Sequence, residues 1–322
     1  MENKRLPLVV AENLQKYFPT LEKGWPVKAV DGISFQVNQG ETLGVVGESG
    51  GGKSTAGRLA LRLLEPTAGR VLFDGTDLTT LSRSQLRGLR RRMQIIFQDP
   101  YASLDPRKTV FQTLAEPFLI HEPAMAREEM YARIRATVDR VGLRPEQLSR
   151  YPHEFSGGQR QRVGIARAIA LNPDFVVCDE PVSALDVSIQ AQVVNLMQDI
   201  KAEYNLTYLF ISHDLRVIRH MCDRIMVMYL GNIVEMADKD VLFAHQRHPY
   251  TQALLGAIPT LRKRDARTRP LLTGDIPSPV RPPSGCPFHP RCPLCKDICK
   301  TTKPQLRSML DGGQVACHLA EE

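Results

Sequence analysis

Eight residues near the N-terminus carry the most specific chemistry in this chain. Gly47-Glu48-Ser49-Gly50-Gly51-Gly52-Lys53-Ser54 fits G-x-x-x-x-G-K-[ST]. In such a loop the backbone N–H groups curl round a β-phosphate at the positive end of the helix that follows. Lys53 is placed to neutralise β- and γ-phosphates, Ser54 to ligate Mg²⁺, and Thr55, next in the same helix start, to join them in binding the nucleotide. Asp179-Glu180 closes the apolar run Phe175–Cys178. Asp179 suits a water-mediated Mg²⁺ contact, and Glu180 is placed to polarise an attacking water. Alone, such a pair is often just a strand end meeting solvent; its weight comes from the loop. Ser156-Gly157-Gly158-Gln159-Arg160 opens a second helix and makes a second anion pocket, although a bare Ser-Gly-Gly is more often an ordinary N-cap. One chain thus offers two phosphate-binding helix ends but one lysine-bearing loop. If both serve one nucleotide, two chains must meet head to tail.

Such groups need elements to hold them. Glu41–Gly47 reads as a buried strand entering the glycine-rich turn, and Phe175–Cys178 and Tyr208–Ile211 are two more short apolar strands. Helical patterns such as Glu128–Val141 and Gln159–Ala170 lie between them. This alternation, from residue 9 to about 258, predicts an α/β fold with a mostly parallel sheet, whose sites gather at the carboxyl ends of strands. From Pro259 onward the texture changes, with 10 of the 23 prolines between Pro259 and Pro304. The expected organisation is a nucleotide-binding domain at 9–258, then a proline-rich linker and a small irregular appendage at 259–322.

Composition narrows the function classes. With 43% hydrophobic and 24% charged residues over 322 positions, the chain can bury a core. No stretch approaches the ~18 apolar residues needed to span a bilayer, and MENKRLPLVV lacks a signal-peptide profile, so a cytosolic protein is expected unless a partner holds it at a membrane. The net charge of +7 would favour nucleic acid, but residues 259–322 alone carry 11 Lys and Arg against 6 Asp and Glu. The body is close to neutral, so no nucleic-acid partner is expected. The knot Arg87, Arg90, Arg91 and Arg92 reads as a solvated face. Cys178 and Cys222 lie in apolar segments and read as buried. Cys286, Cys292, Cys295, Cys299 and Cys317 crowd the tail, which argues for a metal site over disulfides. Four thiolates suit zinc or a four-iron four-sulfur cluster, and their number does not choose.

In order and approximate spacing, Gly47–Ser54, Gln98, Ser156–Arg160, Val176–Glu180, Ser183–Asp186 and His213 resemble the motif set of ATP-binding-cassette ATPases over residues 9 to about 258. The resemblance implies a mixed sheet core with a helical subdomain, binding ATP and Mg²⁺. Ser54, Gln98 and Asp179 would serve the Mg²⁺, and Gln98 would also sense the γ-phosphate and link to a membrane subunit. It further implies Glu180 as the catalytic carboxylate that polarises the attacking water, His213 at the γ-phosphate, Asp186 in a loop crossing a dimer interface, and Ser156, Gly157, Gly158 and Gln159 facing a partner's nucleotide. Phe18, rather than Tyr17, aligns with the adenine-stacking position. Val182 stands where most relatives have threonine.

Tyr101–Arg107, Arg247–Leu255 and Gly285–Cys292 are more finely similar to importers of dipeptides, oligopeptides and nickel, and most to the second ATPase subunit of dipeptide importers. That implies a paralogous ATPase partner, two permeases, an extracytoplasmic solute-binding protein, and a peripheral position on the cytoplasmic face of the inner membrane. It also implies a 4Fe–4S cluster on Cys286, Cys292, Cys299 and Cys317, with Cys295 a bystander and zinc the alternative. Soluble cassette ATPases that act on DNA or ribosomes are the competing class; they usually carry two cassettes or a long coiled-coil insertion.

Overall fold

The computed structural model describes residues 6–20, 24–257 and 274–321. The expected boundary at 258/259 and most of the linker lie outside these. Three short apolar runs form strands buried at every residue: Thr42–Val46 (β3), Phe175–Asp179 (β7) and Thr207–Ile211 (β8). Strands buried on both faces belong in a parallel sheet between layers. Met93–Ile96 (β6) and Arg224–Tyr229 (β9) complete a parallel set in the order β9-β3-β8-β7-β6. Asn232–Asp238 (β10) adds an antiparallel edge to β9, so the sheet is mixed.

The registers decide the site. Val45 lies level with Ile211, Ile211 with Asp179, and Cys178 with Ile96. Four neighbouring strands therefore end at one height, and the residues after each emerge together.

A second, four-stranded antiparallel sheet is built from Pro7–Phe18 (β1), Val27–Asn38 (β2), Ala68–Phe73 (β4) and Thr76–Asp77 (β5), in the order β2-β1-β4-β5. Its core residues, among them Val9, Leu14, Phe35 and Phe73, share one cluster with Leu59 of the helix Lys53–Ala60 (α1). Arg83–Arg90 (α2) follows. Between β6 and β7, Val110–His121 (α3), Arg127–Arg140 (α4) and Gly157–Ile169 (α5) pack through Leu114, Phe118, Ile134, Val138 and Val163 as a helical subdomain. Reciprocal capping boxes start α3 (Thr109, Gln112) and α5 (Ser156, Gln159), which fixes where both helices begin. Val187–Tyr204 (α6), Leu215–Met221 (α7), Lys239–Ala244 (α8) and Pro249–Gly256 (α9) flank the sheet. No helix among the described residues is long and apolar enough to cross a membrane.

One expectation changes here. The arginine knot is a solvated face only in part: Arg87 and Arg91 are exposed, but Arg90 donates to the carbonyls of Leu61 and Arg62, and Arg92 pairs with Asp74 and Asp174. The described residues of the tail include the short helix Asp297–Thr301 (α10) and dock on the body. Its strands Arg307–Ser308 (β11) and Gln314–Val315 (β12) extend the main sheet beyond β10, and Phe288 packs against Tyr229, Tyr250 and His248. Cys178 and Cys222 are fully buried, as their apolar surroundings predict.

Candidate nucleotide site

The loop Gly47–Ser54 joins the end of β3 to α1, as its motif predicts. Two glycines are required by shape. Gly47 has φ 150° and Gly52 has φ 94°, and a Cβ at either would come within 2.1 Å of a carbonyl oxygen, of Met228 or Ala29 respectively. Ser49, Gly50 and Gly51 complete the curl, with the Gly51 N–H donating to the Glu48 carbonyl at 3.1 Å. Lys53 is buried, and its Nζ donates to the carbonyls of Gly47 (2.8 Å) and Glu48 (2.9 Å). Burial lowers its pKa, and the nearby carboxylates of Glu180, Asp179 and Glu48 oppose that shift. A cation stored against its own loop is poised to exchange those carbonyls for phosphate oxygens.

Asp179 ends β7 and is 1% exposed. Ser54 Oγ donates to Asp179 Oδ1 at 2.6 Å, while Oδ2 is buried with no hydrogen-bond partner and only Arg58 Nη2 at 3.6 Å. Burial raises this carboxyl's pKa. A buried, unsatisfied carboxylate oxygen beside a serine hydroxyl is costly alone and suits a hard divalent cation. These residues fit Mg²⁺; Gln98 lies one residue further out, against Glu180.

Glu180 adopts φ 46°, the left-handed region that a glutamate seldom enters, held by its N–H to the Ile211 carbonyl and by Ser183 on its own carbonyl. Strain of this kind costs about 1–3 kcal/mol and gathers at functional sites. Its Oε2 accepts from Gln98 Nε2 at 3.0 Å and faces His213 Nδ1 at 3.2 Å. Gln98 after β6 and His213 after β8, both exposed, thus converge on the acid after β7.

Ser156 caps α5, with Gly157, Gly158 and Gln159 in its first turn. Ser156 and Gly157 are exposed, and Ser156 Oγ accepts from the Gln159 N–H. Among the described residues no hydrogen bond or ion pair joins Ser156–Gln159 to residues 47–54. Phe18 is half-buried at the end of β1 with Lys16 Nζ over its ring at 5.2 Å. Its neighbour Tyr17 instead donates its hydroxyl to Asp31.

The cysteine expectation needs correction. All five tail cysteines are free thiols, Cys286 and Cys299 buried and the others half-buried. Burial pushes the Cys286 thiol up to about 11 and raises those of Cys292 and Cys317. Among the described residues no group of three or more His, Cys, Asp or Glu side chains is arranged to hold a metal ion. Neither the 4Fe–4S cluster nor its zinc alternative is supported. The staple that a short, apolar-poor tail needs is supplied otherwise, by Phe288 in its aromatic pocket and by Arg291 on Glu48.

Arg291, Tyr250 and Asp31 were not legible as site neighbours. Tyr250 Oη accepts the Glu48 N–H at 2.8 Å across 202 positions, and no local pattern marks a pairing of that span.

Residues 30–183 match the family described as ABC transporter, and residues 234–299 match the oligopeptide/dipeptide transporter C-terminal region. The oligopeptide transport ATP-binding protein AppF of Bacillus subtilis is 54% identical over 315 residues, covering 95% of each chain. A putative peptide import ATP-binding protein of Brucella ovis is 54% identical over 312 residues, covering 97% of each. Among solved structures, the dimeric post-hydrolysis state of the ATP-binding cassette MJ0796 bound to ADP and Pi is similar at TM-score 0.66 and 28% identity, over 72% of this chain and 98% of that one. With phosphate loop, acid pair and helical subdomain arranged as described, this chain belongs to the ATP-binding-cassette ATPases of ABC transporters, in the group that carries the oligopeptide/dipeptide transporter C-terminal region.

Proposed function

We propose that this chain hydrolyses ATP to energise import of di- or oligopeptides, or a related small solute, as a peripheral subunit on the cytoplasmic face of the inner membrane. The observation that carries the reading is the convergence of Lys53, Ser54, Asp179, Glu180, Gln98 and His213 at the carboxyl ends of four adjacent strands. In this reading the N–H groups of Gly47–Ser54 and the Lys53 ammonium hold the phosphates, and Phe18 stacks on adenine. Ser54, Asp179 and Gln98 hold Mg²⁺, which when bound neutralises charge on the phosphates. Glu180 accepts a proton from the attacking water, and Gln98 and His213 orient its carboxylate and read the γ-phosphate.

The relatives named for peptide import support the solute class, and the exposed start of α5 supports a head-to-tail dimer in which Ser156–Gln159 close a partner's nucleotide. We assign that partner to a paralogous ATPase beneath two permeases fed by an extracytoplasmic solute-binding protein. A permease helix would seat in the groove between α3 and α4, where Leu119 and Tyr131 are exposed beside Phe111. A role on DNA or ribosomes has no observation in its favour, since the body is near neutral. The test is uptake of labelled peptides by vesicles that hold the permease pair, the paralogue and this chain. ATP-dependent uptake, lost with Ser156→Arg while the chain still folds and binds nucleotide, is expected. Uptake that tolerates Ser156→Arg would refute the dimer, and none with any peptide would refute peptides as the solute.

A further inference from the structure

Glu48 sets a problem. It is an acid inside a loop built to hold a polyanion, and its carboxylate also attracts Lys53, the cation meant for the phosphates. The tail answers it. Arg291 Nη1 donates to Glu48 Oε2 at 2.7 Å and Nη2 to Oε1 at 3.0 Å, a two-pronged pair across 243 positions. The Arg291 side chain is 5% exposed and that of Glu48 22%. The guanidinium is aimed from behind: it lies over the Tyr229 ring at 5.9 Å, and Nη1 also reaches the Tyr229 hydroxyl at 3.4 Å. Tyr229 is fixed in turn by Tyr250 and Phe288, with ring centroids 4.7 and 5.3 Å away. Tyr250 binds the Glu48 N–H, so backbone and side chain of one loop residue are both held from outside the loop.

We propose that Arg291 is a positioning residue for the nucleotide site, neutralising Glu48 and holding it off Lys53 so that the phosphate loop accepts a polyanion. The tail is then part of the nucleotide site. A bidentate arginine–carboxylate pair in a largely desolvated place fixes geometry as well as charge. Removing the arginine leaves a carboxylate to repel phosphate and compete for Lys53. The penalty must therefore grow with ligand charge and shrink with salt, which loosened packing alone would not produce.

The inference rests on ATP binding at this loop, and wild-type titration checks that premise separately. Displacement of a fluorescent ADP analogue from the full-length chain by ATP, ADP and AMP, at low and high salt, reads the effect. Arg291→Met should weaken ATP by about tenfold, ADP less and AMP least, since ~1.4 kcal/mol is one decade. Arg291→Lys, a point charge without the fork, should fall between wild type and Arg291→Met. Adding Glu48→Gln to Arg291→Met should restore ATP binding to within about twofold of wild type, because both charges are gone. Equal losses for all three nucleotides, no loss in a folded variant, or no rescue by Glu48→Gln would overturn the proposal. Should Arg291→Met fail to fold on thermal melting, Glu48→Gln alone decides: it should bind ATP at least as tightly as wild type, and weaker binding refutes the idea.

Discussion

Replacing Glu180 by glutamine tests the chemistry with the least disturbance. The side chains are nearly isosteric, so the backbone at φ 46°, the N–H bond to the Ile211 carbonyl and the Ser183 contacts should persist. The charge at Oε2, which now meets both Gln98 and His213, is lost. A positioned general base contributes roughly 10²–10⁴ in rate, or about 2.7–5.4 kcal/mol of barrier at 1.36 kcal/mol per decade. Binding rests on Gly47–Ser54 and Lys53, which the change does not touch, so nucleotide affinity should stay within about threefold, well under 1 kcal/mol. Removal of a negative charge beside the γ-phosphate should also leave an ATP-bound dimer that does not reopen. Phosphate release by the assembled transporter gives the first readout, and gel filtration with ATP and Mg²⁺ gives the second. Hydrolysis within about fivefold of wild type, less than 1 kcal/mol of barrier, would refute the assignment of Glu180 as base. A loss of affinity as large as the loss of rate would refute the separation of binding from chemistry.

Lys53→Ala should instead weaken nucleotide binding itself, seen in titration of the folded chain, because the removed ammonium is a buried cation held on the loop carbonyls of Gly47 and Glu48; unchanged affinity would contradict its role. Gly52→Ala should lower stability by roughly 1–3 kcal/mol and abolish nucleotide binding, since its φ of 94° and the Ala29 carbonyl leave no room for a Cβ; a melting curve and a titration check both. His248 gives a pH dependence of stability. Burial holds its pKa at about 3, so the unfolded chain takes up a proton below about pH 6.5 while the folded chain stays neutral. Stability should therefore fall as pH drops from about 6.5 towards 3, by up to ~1.4 kcal/mol per unit. The neighbouring Glu235, whose pKa burial raises, works in the opposite sense, losing stability as pH rises above the ordinary carboxylate range. His248→Asn, which keeps an acceptor for the Tyr250 N–H, should flatten the acid side of a melting-temperature profile; an unaltered profile would show that the buried imidazole is not its source.

What the sequence by itself determined about this protein is whatever is written locally. The Gly47–Ser54 loop, the buried runs of β3, β7 and β8, the capping box at Ser156 and Gln159, and the acid pair at the end of β7 all depend on residues within one turn or one strand of each other. A strand's burial on both faces, a helix start and a phosphate loop are short-range consequences of side-chain size and backbone freedom. Gln98 and His213 were visible only through resemblance, because neither has a local signature, and the level strand ends of β6, β7 and β8 are what bring both to Glu180. The tail shows the limit most clearly. Its cysteines cluster in sequence, yet spacing does not specify where thiols point. Its arginine pairs with a glutamate 243 positions away. That contact exists because Phe288 finds an aromatic pocket and β12 pairs with β10, and long-range packing of that kind has no period or motif for a linear reading to detect. Tertiary structure alone made Glu48, an unremarkable loop residue, a place where the tail meets the phosphate loop.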